Sequence, residues 1–174
     1  CGVSGPVTIS VQPGTYNERV AFNAIPGASA TNTVTIQGQG ALTTISYDGA
    51  TSSERYIVLM DGVKHLVLNN LKIEAPATAT YGHGIHFRNQ ADSNAVTNCH
   101  ISLPTTTSSY FVGITASNTL SSYTSSGDNA NYNLIDNNTI DNGYAGIVMY
   151  GTSTTTLAMN NTISNNTVTG FHEY

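Results

Sequence analysis

The chain lacks several residue types and segments that particular classes of protein require. Of its 174 residues none is tryptophan, only five are lysine or arginine, and none of those five follows position 88. A surface without cations over its second half cannot neutralise phosphates or bind anionic lipid, which argues against nucleic acid as a partner. No run of 18 apolar residues occurs, so no membrane insertion is predicted.

Cysteine is also scarce, because the chain has two, in no CxxC or other metal-ligand spacing. Cys99 occupies the same repeat position as Leu71, Asn138 and Asn166, which we interpret as an interior corner, and this predicts a buried free thiol. Cys1 opens the chain without an initiating methionine, so we expect a mature or excised piece of a longer protein. We interpret residues 1–174 as a single domain of that protein.

A six-residue sequence motif, called the six-residue phrase below, occurs four times in the chain. It reads LNNLKI at 68–73, VTNCHI at 96–101, IDNNTI at 135–140 and ISNNTV at 163–168. Its third residue is always asparagine, at intervals of 28, 39 and 28 residues: Asn70, Asn98, Asn137 and Asn165. A second phrase, Gly-Ile, alternates with it at 84–89, 113–118 and 146–151. Two interleaved repeats of roughly constant length predict a solenoid of stacked coils.

The repeats and the apolar alternation together predict an all-β parallel β-helix. The predicted strands cover 7–11, 34–36, 57–60, 84–88, 113–117 and 146–150. They stack in parallel, with Ile85, Ile114 and Ile147 inside. At about 28 residues per coil the chain forms about six coils.

The recurring asparagines predict a ladder. In a parallel coil each position lies about 4.8 Å above its predecessor. Asn70, Asn98, Asn137 and Asn165 are therefore expected to hydrogen-bond amide to amide along the stack at an interior corner, where unpaired polar groups are costly.

The amino-acid sequences of two segments resemble a known family. GPVTISVQPGTYNERVAF (5–22) and TVTIQGQGALTTISYDG (33–49) resemble the first coils of the right-handed parallel β-helix superfamily of pectinesterases and pectate-lyase-like proteins. The likeness covers nearly the whole chain and is closest to β-helix segments of large secreted bacterial cell-surface proteins. It implies a right-handed parallel β-helix and a secreted, cell-surface location. It implies little about chemistry, since the same helix hosts lyases, esterases, adhesins and inert stalks.

The residues do not supply the catalytic groups of that superfamily. The G-x-V-D-F-I-F-G stretch of its esterases is absent, and no cation that could serve as the base of a lyase follows Arg88. We therefore expect no enzymatic activity in this segment. The alternative is a polysaccharide-active lyase or esterase whose catalytic coils lie outside it.

No cofactor or metal ligand is predicted. His83, His86 and His100 are expected on three different faces as solvated side chains, with His86 outward because Ile85 and Phe87 take the inward positions. The three aspartates Asp128, Asp136 and Asp141 suggest at most weak calcium binding, if the loop at 119–133 folds back onto the coil.

Five tyrosines of the second half are the candidate ligand-binding residues. Exposed aromatic rings on an amide-rich surface suit stacking against sugars. These tyrosines are Tyr110, Tyr123, Tyr132, Tyr144 and Tyr150. The alternative is that they only cover corners of the coil.

The expected function is a structural or adhesive β-helix segment of a secreted or cell-surface protein that binds a polysaccharide or cell-surface glycan. A further alternative is the subunit of an extracellular filament. An uncapped final coil would expose strand edges, which favours end-to-end self-association.

Overall fold

The computed structural model describes residues 2–48, 51–151 and 157–173. These residues form fifteen β-strands and no helix. The strands are β1 (Val7–Ser10), β2 (Gly14–Tyr16), β3 (Val20–Phe22), β4 (Val34–Ser46), β5 (Tyr56–Asp61), β6 (Leu66–Glu74), β7 (Gly82–Arg88), β8 (Ala95–Thr97), β9 (His100–Ser102), β10 (Phe111–Ala116), β11 (Leu134–Asp136), β12 (Thr139–Asp141), β13 (Ala145–Met149), β14 (Thr162–Ser164) and β15 (Thr167–Thr169).

All the pairings between these strands are parallel, and they build two sheets. Strands β3, β5, β7, β10 and β13 form a five-stranded sheet, and the other ten form a ten-stranded sheet. The chain passes from the ten-stranded to the five-stranded sheet once per turn, which makes a parallel β-solenoid of about five turns. The predicted fold is therefore confirmed. The prediction of six coils was slightly high, because the turn between Ala95 and Leu134 takes 39 residues instead of 28.

The strands predicted at 57–60, 84–88, 113–117 and 146–150 stack in parallel as β5, β7, β10 and β13. Those predicted at 7–11 and 34–36 pair with each other in the ten-stranded sheet and do not align with 57–60. Ile114 lies opposite Ile85 in one neighbouring turn and opposite Ile147 in the other. Ile85 and Ile114 are fully buried, and Ile147 packs against the same core. Stacking of identical aliphatic side chains along the solenoid axis supplies the hydrophobic burial that stabilises the fold.

The glycine of the Gly-Ile phrase is required by the close approach of the two sheets. A Cβ atom on Gly84 would lie 2.6 Å from Cγ2 of Ile101, and one on Gly113 would lie 2.5 Å from Cγ2 of Ile140. Real Cβ atoms do not approach so closely, so any larger residue would push the opposite wall of the solenoid outward.

The asparagines of the six-residue phrase stand at matching corners of successive turns, but not inside. Asn70, Asn98, Asn137 and Asn165 all have φ between 54° and 57°, a left-handed conformation that asparagine tolerates better than most residues. Asn137 Nδ2 donates to Asn98 Oδ1 at 2.7 Å, yet the last three side chains are exposed. The predicted interior location was wrong for them, because the corner turns this side chain outward.

The interior ladder is formed by the next residue of the phrase. Asn138 Oδ1 accepts a hydrogen bond from the Cys99 backbone N–H, and its Nδ2 donates to the Val96 carbonyl and to Asn166 Oδ1, all at 2.9 Å. Cys99 holds the same position one turn earlier and is 2% exposed, so the predicted buried free thiol is confirmed. Burial raises the pKa of this thiol to about 11, which keeps it protonated.

A second interior ladder lies at another corner. The Oδ1 atoms of Asn94, Asn133 and Asn161 accept hydrogen bonds from the backbone N–H groups of Leu66, Asn94 and Asn133 respectively, at 2.9–3.0 Å. Each amide thus satisfies a donor of the preceding turn where no strand pairing is available. These asparagines precede Asn98, Asn137 and Asn165 by four residues, a regularity that was visible in the sequence.

Candidate functional site

The candidate site is a cavity of about 600 Å³ beside the last strand of the five-stranded sheet. Tyr123, Tyr150 and Phe171 contribute aromatic rings to its lining, and Ile147 and other aliphatic residues contribute apolar surface. Among the described residues that line it, Glu173 is the one carboxylate. A concave, mostly apolar surface with a few polar groups is typical of a small-molecule site.

The Glu173 carboxylate in this lining contacts two tyrosines, Tyr123 within the lining and Tyr144 beside it. The ring centroids of Tyr123 and Tyr144 lie 5.9 Å apart at an interplanar angle of 64°. The Tyr123 hydroxyl donates to Glu173 Oε2 at 3.3 Å, and Tyr144 also hydrogen-bonds this carboxylate. The backbone N–H of Glu173 donates to the Tyr144 carbonyl at 2.8 Å, which holds the carboxylate beside both rings.

These contacts keep both phenols protonated. Burial, together with the negative charge of Glu173, raises the pKa of Tyr123 to about 12. The hydrogen bond to Glu173 raises the pKa of Tyr144 as well. Near neutral pH both hydroxyls therefore keep their protons and donate them to Glu173, which leaves the phenol oxygens as hydrogen-bond acceptors on the cavity side.

The structure separates the five predicted tyrosines into three groups. Tyr123 and Tyr150 line the cavity, and Tyr144 packs on Tyr123. Tyr110 lies against Tyr81 instead, with ring centroids 4.8 Å apart. Tyr132 is 59% exposed and belongs to neither group.

Tyr123 reaches the cavity because residues 117–131, which we call the covering segment, fold back over the five-stranded sheet. The Thr115 hydroxyl donates to the Tyr123 carbonyl at 3.1 Å, and the Ser117 hydroxyl donates to the Ser122 carbonyl at 2.6 Å. The Ser117 Oγ also accepts the backbone N–H of Ser125 at 2.9 Å. This compact set of local hydrogen bonds fixes the segment on the strand from which it leaves.

The covering segment also changes the environment of two histidines. His83 and His86 are fully buried, with Nδ1 atoms 3.1 Å apart, and His86 Nε2 lies 2.8 Å from the Ser117 carbonyl oxygen. A carbonyl oxygen only accepts, so His86 carries its proton on Nε2, and its Nδ1 accepts from His83 Nδ1. The prediction that His83 and His86 are solvated was wrong, because residues 117–131 cover the outer face of this sheet.

Burial keeps both of these histidines neutral. Burial is the largest of the effects that together lower the pKa of His86 to about 4, with the Ser117 hydrogen bond opposing it and the charge of Arg88 adding to it. For His83, burial, His86 and Arg55 all lower the pKa. His100 differs, since it is partly exposed and places Nε2 2.8 Å from Asp141 Oδ2.

The three aspartates considered for calcium make separate contacts. Asp128 accepts a hydrogen bond from Asn131, Asp136 accepts from Ser164, and Asp141 accepts from Thr169. Hydrogen bonds from these partners lower the pKa values of Asp136 and Asp141, so both stay ionised. The described residues do not gather these carboxylates into one cation site.

The fold defines a parallel β-helix protein. The chain belongs to the NosD family, described as periplasmic copper-binding protein, whose model matches residues 23–174. The predicted location outside the cytoplasm, extracellular or periplasmic, is thereby confirmed, and no helix of the described residues is long and apolar enough to cross a membrane. No curated protein and no solved structure matches the chain.

The family description names copper, and the described residues do not fit a copper centre. They contain no group of three or more His, Cys, Asp or Glu side chains that could hold a metal ion. In the His83–His86 pair three of the four ring nitrogens are in hydrogen bonds, which leaves only His83 Nε2 without a partner. Copper sites combine several nitrogen or sulfur ligands, and one buried nitrogen cannot replace them.

Proposed function

We propose that this chain is a non-catalytic, extracytoplasmic β-helix that binds carbohydrate and serves as a structural or adhesive segment of a cell-surface protein. The observation that carries the proposal is that Tyr123, Tyr150 and Glu173 line one cavity, with Tyr144 packed on Tyr123 beside it. Sugar rings present apolar faces and hydroxyl edges. Tyrosine rings pack on the faces, while a carboxylate and phenols bind the hydroxyls.

The composition of the cavity favours binding over catalysis. Glycoside hydrolysis commonly uses two carboxylates on opposite sides of the scissile bond, and Glu173 is the single one in this lining. Its two tyrosine partners are protonated hydrogen-bond donors rather than bases. We therefore expect no turnover of pectin, polygalacturonate or alginate.

An oligosaccharide array followed by calorimetry tests this function. Tyr150→Ala and Tyr123→Ala should each weaken binding of the captured glycan about 3- to 10-fold, as expected for loss of one aromatic contact. Tyr132→Ala is the matched control, because Tyr132 is exposed and lies outside the cavity lining. Capture of no glycan, or an equal loss in all three variants, would contradict the proposal.

A second candidate is end-to-end association of copies. Within residues 1–174 taken alone, two isoleucines are half exposed, Ile9 in β1 at 50% and Ile163 in β14 at 49%. Parallel pairing of such strands between copies would bury them and add backbone hydrogen bonds. Sedimentation across micromolar concentrations should show assemblies that Ile163→Lys abolishes, and a monomer at every concentration would refute this candidate.

A further inference from the structure

Four of the five basic side chains are neutralised by an acidic partner. The ion pairs are Arg19–Glu54, Lys64–Asp92, Lys72–Glu74 and Arg88–Asp61. Arg55 is the exception, because no carboxylate of the described residues lies within ion-pairing distance of it. A partly exposed guanidinium with no anionic partner, in a chain of net charge −5, needs a separate explanation.

Arg55 is held in place by aromatic rings instead of by an acid. Its Cζ atom lies 4.2 Å from the centroid of the Tyr110 ring and 5.2 Å from that of Tyr81. Its Nε donates to the Ser52 carbonyl at 3.1 Å. Cation–π contact orients a guanidinium and leaves its remaining N–H groups free to donate to a ligand.

The backbone around these three side chains is anchored on neighbouring elements. The Arg55 N–H donates to the Leu120 carbonyl of the covering segment at 3.2 Å, and the Arg55 carbonyl accepts from His83 N–H at 2.6 Å. The Gly82 N–H donates to the Tyr110 carbonyl at 3.0 Å. The arginine and both tyrosines therefore come from three successive turns that strand pairing holds in fixed positions, which favours a preorganised site.

We propose that Arg55, Tyr81 and Tyr110 form a second binding site, which takes an acidic sugar residue. The carboxylate or sulfate of that residue would pair with the Arg55 guanidinium, and its ring would pack on Tyr110, which is 39% exposed. The inference rests on the proposed carbohydrate-binding function and concerns a group of residues separate from the Tyr123–Tyr150 cavity. Since the other cations are paired and the chain is acidic overall, the site suits a single acidic residue better than a long polyanion.

Ligand-observed NMR and calorimetry with three probes test the site: methyl β-glucuronide, methyl β-glucoside and glucose 6-sulfate. The wild-type chain should bind glucuronide, glucose 6-sulfate or both at least about tenfold more tightly than glucoside. The carboxylated and sulfated probes distinguish the two sources of the anion. Arg55→Gln should remove this preference, and Arg55→Lys should restore only part of it, because lysine lacks the planar fork.

Arg19→Gln is the matched control, since Arg19 also lies near tyrosine rings but is paired with Glu54. It should keep the preference for the acidic probes. If Arg55→Gln fails to fold, Tyr110→Ala should still weaken the acidic probes. Equal binding of all three probes, or an equal loss in Arg19→Gln and Arg55→Gln, would overturn the site.

Different results would refute the carbohydrate-binding cavity and the Arg55 site. Tyr150→Ala should weaken array-selected glycans without changing the preference for the acidic probes. Absence of glycan binding at the cavity, with Arg55-dependent binding of glucuronide intact, would refute the cavity and support this site. The reverse pattern would refute this site alone.

Discussion

The two sheets of the solenoid differ in how far the residues on their outer faces are buried. In β6 of the ten-stranded sheet burial alternates, with Leu66 and Leu68 inside while Val67 and Asn69 are partly exposed. In β7 of the five-stranded sheet every residue from 82 to 87 is buried. The strands have the same geometry, so the covering segment at residues 117–131 accounts for the difference.

The covered face is a second packed layer. Leu59, His86 and Thr115 lie opposite one another in adjacent turns, point away from the solenoid interior and are all buried. Outward-facing positions of a strand are solvated only where no other segment lies over them. A single insertion in one turn therefore determines which polar residues of three turns must be satisfied internally.

The largest expected difference in stability is between an aspartate placed on the covered outer face of the five-stranded sheet and one placed on the exposed outer face of the ten-stranded sheet. Thr115→Asp would bury an unpaired carboxylate beneath the covering segment and should lower the free energy of unfolding by about 3–5 kcal/mol. Thr139→Asp makes the same change at an exposed position of β12 and should cost less than about 0.5 kcal/mol. Urea unfolding measures both, and equal costs would mean that residues 117–131 do not cover the sheet.

The next effect separates the interior asparagine ladder from the outer one. Asn138→Leu leaves the Cys99 N–H and the Val96 carbonyl without partners and should cost about 2–4 kcal/mol. Asn137→Leu should cost about 1–2 kcal/mol, because leucine is strained at its φ of 54°. Thermal and urea unfolding measure the two losses in free energy of unfolding. A larger loss for Asn137→Leu would mean that the outer amides stabilise the solenoid more than the interior ones.

The pH dependence of stability should report the covered histidines. Burial lowers the pKa of His86 from 6.5 to about 4, so the unfolded state binds more protons between these values. The free energy of unfolding should fall as pH falls through this window, by roughly 1 kcal/mol per pH unit. His86→Gln should reduce the slope, and the part that remains should come from His83, whose pKa is also lowered by burial. A flat profile in the unsubstituted chain would show that His86 is accessible to solvent.

The smallest effect concerns the left-handed corners. Asn165→Gly keeps the conformation available and removes one exposed hydrogen bond to Asp136, so it should cost less than about 0.5 kcal/mol. Asn165→Ala should cost about 1 kcal/mol more, since alanine is strained at this φ. Equal stability of the two variants would argue that the corner relaxes on substitution.

The candidate site was partly predictable from the sequence. The tyrosines were chosen for their residue type and their place on loops, and Tyr123, Tyr144 and Tyr150 lie at or beside one cavity. Glu173 was not predicted, because only the hydrogen bonds of residues 171–173 bring this carboxylate next to Tyr123. The sequence likewise could not predict that Arg55 lacks an acidic partner, because the structure is needed to show which carboxylates pair with the other four basic residues.

The sequence by itself determined the parallel solenoid, six of its strand segments and the stacking of Ile85, Ile114 and Ile147. These features depend on local periodicity and on the repeat distance, which a linear sequence displays. Only the tertiary structure decided which face of each corner the asparagines occupy and that His83 and His86 are buried. The physical reason is that side-chain direction at a left-handed corner, and coverage of a sheet by residues 117–131, depend on contacts between turns. In the sequence these contacts are separated by about 30 residues, as between His86 and Ser117.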